Sequence, residues 1–170
     1  MEDHVVLAKQ LLIRLEKCFP LDPVPHNQEW GSDEHRKKCQ ECHDIFANVT
    51  DKSWKDADLT DWDSTWTFLA KTTKPYYFTG YLYRMLNWIV LAPEKDGHET
   101  RTMDIGSDWQ ISSILGDITR GDIEFQLSID QRGLICQILK LILKVGSTEK
   151  CKEFDFEDEY RDVLHWFRGK

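Results

Sequence analysis

The chain has 170 residues, and 22 basic against 30 acidic side chains give it a formal net charge of −8. The length and a 41% hydrophobic composition suit a single domain with a sizeable core and exclude collagen-like, low-complexity and largely disordered classes. The negative charge disfavours non-specific nucleic-acid binding and docking on anionic lipid, and it makes a cationic partner the natural complement.

In chain order, Asp3 to Cys18 places Val5, Leu7, Leu11, Leu12 and Leu15 near the 3.6-residue period, which predicts an amphipathic helix. Phe19-Pro20-Leu21-Asp22-Pro23-Val24-Pro25 stops it, because three prolines forbid continuation and favour an extended path. Ser32 is a good N-cap, followed by Asp33 and Glu34, for a second helix reaching about Val49. Residues 51–66 read as a loop. Pro75 fits the first turn of a third helix, whose wide apolar face of Phe78, Tyr81, Leu82, Met85, Leu86, Ile89 and Val90 makes it the expected centre of the core.

Residues 93–108 are polar and read as a surface loop, followed by a short helical segment over Trp109–Leu115. Ser128-Ile-Asp-Gln131 is a capping box ahead of Leu134, Ile135, Ile138, Leu139 and Ile142, and Gly146 sits where a C′ glycine would end that helix. A last helix is expected from about Phe156 to Phe167. Strand signals are confined to Arg101–Asp104 and Ile123–Leu127. The expected fold is therefore mainly α: one domain over residues 1–170, an irregular bundle of about five helices with long loops and at most a minor β hairpin.

The five cysteines are an odd number in a chain that needs no disulfides, which points to a reducing compartment. Met1-Glu-Asp-His lacks the basic and apolar regions of a signal peptide, and the apolar run 75–93 carries Arg84 and Asn87 and is short for a membrane span. A cytoplasmic protein without membrane attachment is expected.

Cys39-Gln-Glu-Cys42-His43 matches the C-x-x-C-H pattern of c-type haem attachment, but that chemistry requires export. Zinc is the other chemical reading, with Cys39, Cys42 and His43 as the ligands that could converge. On a helix, His35 and His43 would lie roughly 12 Å apart along the axis, too far for one ion. Positions 35, 39, 42, 46 and 49 instead form one helix stripe, so the cysteines read first as small core residues. No Walker loop, G-x-S-x-G, G-x-G-x-x-G or H-E-x-x-H motif occurs. No catalytic residue and no cofactor are expected.

The segment 51–66 interleaves Asp51, Asp56, Asp58, Asp61 and Asp63 with Trp54, Trp62 and Trp66. Its tryptophans either plug back into the core or supply contact area at an interface, where carboxylates steer and pair with cationic side chains. A second acidic run, with Glu157, Asp158 and Glu159 at its centre, surrounds the last helix. There, stabilisation by the helix dipole is the competing explanation.

Phe19-Pro-Leu-Asp-Pro-Val-Pro25, His35-x-x-x-Cys39-x-Glu41-Cys42, Phe68-Leu69, Tyr76-Tyr77-Phe78-x-x-Tyr81-Leu82 and the Ser128-x-x-Gln131 helix together resemble an uncharacterised family of small bacterial proteins. The resemblance covers roughly residues 19–145. A proline often found inside the family's aromatic helix is replaced here by Thr79 or Gly80. The family carries no known activity, so it assigns no functional residue. Its uneven spread and acidic members resemble toxin-immunity genes, including those of contact-dependent growth inhibition.

The resemblance implies a cytoplasmic antitoxin-type protein, not an enzyme. It would be a monomer that forms a heterodimer with a basic nuclease toxin domain and covers the active-site groove. Trp54, Asp56, Asp58, Asp61, Trp62, Asp63, Trp66, Glu157, Asp158 and Glu159 are the candidate contacts. The alternative is a metal-binding protein or enzyme built on Cys39, Cys42 and His43.

Overall fold

A computed structural model describes residues 2–25, 49, 51–57, 66, 69, 71–91, 108–123, 125–146 and 157–169. Among these the protein is mainly α, with five helices: α1 (Glu2–Cys18), α2 (Lys74–Leu91), α3 (Asp108–Thr119), α4 (Ile129–Gly146) and α5 (Glu157–Gly169). The helix expected over Ser32–Val49 and the possible strand at 101–104 lie outside the described residues, Val49 apart. Residues 125–127 form no strand. No described helix is long and apolar enough to cross a membrane. The chain divides into two compact units, residues 1–19, 82–105 and 126–170 in the first, and residues 20–81 and 106–125 in the second. The helix α2 gives its first half to the second unit and its second half to the first.

In the first unit α4 packs against both α1 and α5. Its buried residues Leu134, Ile135, Ile138, Leu139, Leu141, Ile142 and Val145 cover more of the circumference than one stripe, as a helix between two neighbours requires. The predicted capping box is formed: the Ser128 N–H donates to Gln131 Oε1 at 3.0 Å, and the Gln131 N–H donates to Ser128 Oγ at 3.2 Å. Gln131 Nε2 also donates to the Cys18 carbonyl at 2.8 Å, satisfying an acceptor at the end of α1. With Arg14 donating to Gln137 Oε1 at 2.6 Å, these contacts set α1 antiparallel to α4.

The buried face of α1 is Ala8, Leu11 and Leu15, with Leu12 and Cys18 half-buried beside it. Val5 is half-buried and Leu7 exposed, so the inward face is rotated from the predicted one toward Ala8. The helix α5 buries Tyr160, Val163, Leu164 and Phe167, which are its predicted apolar positions.

In the second unit α3 runs four residues past its predicted end and stops at a glycine. Gly121 has φ +75°, its N–H donates to the Ile118 carbonyl at 3.1 Å, and the Asp122 N–H donates to the Asp117 carbonyl at 3.0 Å. These two bonds form a Schellman motif with Gly121 at C′, where a side chain would be strained. The start of α2 is held by the buried Thr73, whose carbonyl accepts from the Tyr76 N–H at 3.1 Å.

Candidate functional site

The capped end of α3 carries a carboxylate that accepts from three side chains. Asp117 Oδ2 accepts from Trp66 Nε1 at 3.0 Å and from Lys74 Nζ at 2.5 Å, while Oδ1 accepts from Arg120 at 2.6 Å. The Lys74 and Asp117 side chains are only 11% and 14% exposed, and the ammonium lies 5.2 Å from the Trp66 ring centroid, in cation–π range. Arg120 Nε donates to Asp122 Oδ2 at 3.1 Å, and Lys71 lies 3.7 Å from Asp122. Burial alone would raise the Asp117 pKa. The Lys74 hydrogen bond and charge, with Trp66 and Arg120, outweigh it and hold the carboxyl below its ordinary value. With three donors on two oxygens, this carboxylate is suited to positioning Trp66 and Lys74.

Trp54 and Trp66, both candidate contacts, are each 1% exposed. Trp54 Nε1 donates to the Pro20 carbonyl at 3.3 Å. Its backbone N–H donates to Tyr76 Oη at 3.2 Å, and that hydroxyl donates to the Leu21 carbonyl at 2.5 Å. Tyr77 Oη lies 3.4 Å from the carbonyls of Val49 and Lys52, and burial pushes its pKa well up. As the protein stands, neither indole offers its face to a partner; both hold the proline-rich segment, the 51–57 turn and the end of α3 in place.

Asp56 is exposed on a turn, accepting from Ser53 Oγ at 2.6 Å. In α5, Asp158 is exposed and Glu157 and Glu159 are half-buried. Glu157 pairs with Arg161 one turn on, and Asp162 is exposed beyond it. All three carboxylates of the first turn sit where the helix dipole favours them. Asp56 and the α5 run belong to different units. Asp58, Asp61, Trp62 and Asp63 lie outside the described residues, as do Cys39, Cys42 and His43. Among the described residues no group of three metal-ligating side chains occurs.

Lys71, Lys74, Asp117, Arg120 and Asp122 were not among the sequence candidates. One signal for them is present: Gly121 follows the apolar stripe Ile114, Leu115 and Ile118, which marks a helix end and places Asp117 and Arg120 in its last turn. The links to Trp66 and Lys74, 51 and 43 positions away, have no local signature.

No family model matches the chain, and comparison with curated proteins and with solved structures also gives no match. Among the described residues the fold and the site define a mainly α protein with internal aromatic anchors and an acidic first turn on α5.

Proposed function

We propose that this chain is an antitoxin of the immunity type, which binds a basic nuclease toxin domain and covers its active-site groove. The observation that supports the reading is the acidic first turn of α5, where Asp158 is exposed and Glu157 and Glu159 are half-exposed, with Asp162 exposed beyond the paired Arg161 and Arg168 closing the helix, in a chain of net charge −8. A nuclease groove is cationic because it must hold phosphates, so an acidic surface both attracts and competes for it. Asp56 adds an exposed carboxylate on the second unit. The buried face of α5 fixes that helix to its own unit, so its carboxylates are presented from a rigid element.

The test uses the C-terminal domain of a toxin encoded beside this chain, mixed with it in equal amounts. The expected result is a one-to-one complex with nuclease activity suppressed. Association should slow as salt rises, and several-fold in the triple variant Asp56→Asn, Asp158→Asn, Asp162→Asn. Full nuclease activity in the presence of excess chain would refute the reading.

A further inference from the structure

The solvent-facing side of α4 is cationic in an acidic chain. This helix carries Arg132, Lys140 and Lys144 against Asp130 alone, and Asp130 sits in the first turn, where the helix dipole favours it. Both neighbouring helices add to that side. Arg14 of α1 reaches across to Gln137. Burial raises the pKa of the half-buried Cys136 thiol and the charges of Arg168 from α5, Lys140 and Arg132 oppose it, so these three cations surround that residue. Arg14, Lys140 and Arg168 are exposed, and Arg132 is half-buried. Among the described residues no carboxylate pairs with Arg132, Lys140 or Arg168, whereas Lys71, Lys74, Arg120 and Arg161 each meet one. The dipole of α5 accounts for Arg168 in its last turn, but not for Lys140 in the middle of α4. Gly133 lies within the same patch. It is exposed in the interior of α4, where glycine weakens a helix, and a Cβ there would touch nothing within 4 Å. No described neighbour calls for glycine at this position, but close approach of a backbone from outside the chain would.

We infer that the outward side of α4 docks an extended acidic segment of a partner protein, whose carboxylates pair with Arg14, Arg132, Lys140 and Arg168 while its backbone passes over Gly133. The spacing suits such a segment. Arg132 and Lys140 are eight residues apart, roughly 12 Å along the helix axis. Side chains four residues apart on one side of an extended chain are separated by roughly 13 Å. Arginine favours a carboxylate because its planar fork can meet both oxygens. Nucleic acid offers the same charge, but a long polyanion feels the whole chain's −8, whereas a short acidic segment feels mainly the local patch. The surface is separate from the acidic first turn of α5, since Asp158 and Arg168 lie roughly 15 Å apart along that helix, so it does not depend on the toxin reading.

Fluorescence anisotropy of a labelled octa-aspartate peptide, titrated with the full chain at low salt and without any toxin, tests this. Binding should saturate at one peptide per chain and weaken as salt rises. Arg14→Ala, Arg132→Ala and Lys140→Ala should each weaken it roughly two- to five-fold, as exposed ion pairs do. Lys9→Ala should leave it unchanged, because Lys9 is exposed roughly 140° around α1 from Arg14. Gly133→Leu is the decisive variant. It keeps every charge, fills open space and does not lower the melting temperature, yet it should weaken binding at least tenfold by holding the peptide backbone away. Four results would each overturn the inference: no saturable binding to the wild-type chain, Lys9→Ala as harmful as Lys140→Ala, Gly133→Leu without effect, or tighter binding of an oligothymidylate of equal charge.

Discussion

In the first unit the buried positions of α1, α4 and α5 recur at helical spacing, and its terminal hydrogen bonds include a local capping box. In the second unit the segment 51–57, Trp66 and the start of α2 are tied by hydrogen bonds between residues 22 to 55 positions apart in sequence. The first arrangement is built from apolar stripes, which tolerate adjustment because the hydrophobic effect has no direction. The second is built from polar atoms of large aromatic side chains, which must meet particular partners once buried. Deleting one polar anchor in the second unit therefore strands others, whereas deleting one apolar side chain in the first leaves only a cavity.

The largest expected effect is at Trp66. Trp66→Ala should cost about 4 kcal/mol, because it empties an indole-sized volume and removes a donor from Asp117 and the ring beside Lys74. Ile138→Ala in α4 should cost about 3 kcal/mol, by cavity formation alone. Urea unfolding of both variants measures the difference, and equal losses with Trp66→Phe fully tolerated would remove the distinction between the units.

Asp117→Ala should cost about 2–3 kcal/mol, since Lys74 would keep its charge in a largely buried position without its carboxylate. This residue also predicts a pH dependence. Its folded pKa lies below the ordinary value of 3.8, so its contribution is fully present above that pH and is lost as the pH falls through the folded value. Asp117→Asn should flatten that part of the acid limb. An acid limb unchanged in this variant would show that the carboxylate is not the group responsible.

Gln131→Ala should cost about 1 kcal/mol, through loss of the capping box and of the bond to the Cys18 carbonyl. The smallest effect near neutral pH is expected at Tyr77→Phe, below about 1 kcal/mol, because its hydroxyl contacts are long. At high pH the same variant becomes informative. The Tyr77 pKa is raised, so its contribution is whole below the ordinary value of 10 and is lost as pH rises above it. Denaturant midpoints of wild type and Tyr77→Phe should therefore converge or cross above pH 10, and parallel curves would discard the assignment.

The sequence by itself determined the mainly α class, the buried positions of α4 and α5, and the Ser128–Gln131 capping box, because periodicity and capping are set by residues within a turn or two. It also marked Trp54 and Trp66 as prominent while leaving open whether they face inward or outward, since an acidic neighbourhood is compatible with both. Only the tertiary structure decided that. The carbonyl of Pro20 and the carboxylate of Asp117 come from remote segments, and they supply the acceptors that let each indole be buried. The rotation of α1 toward Ala8 was likewise a tertiary outcome. Its apolar residues occupy nearly every side, and contact with α4 selected which of them face inward, leaving Val6 and Ile13 in water.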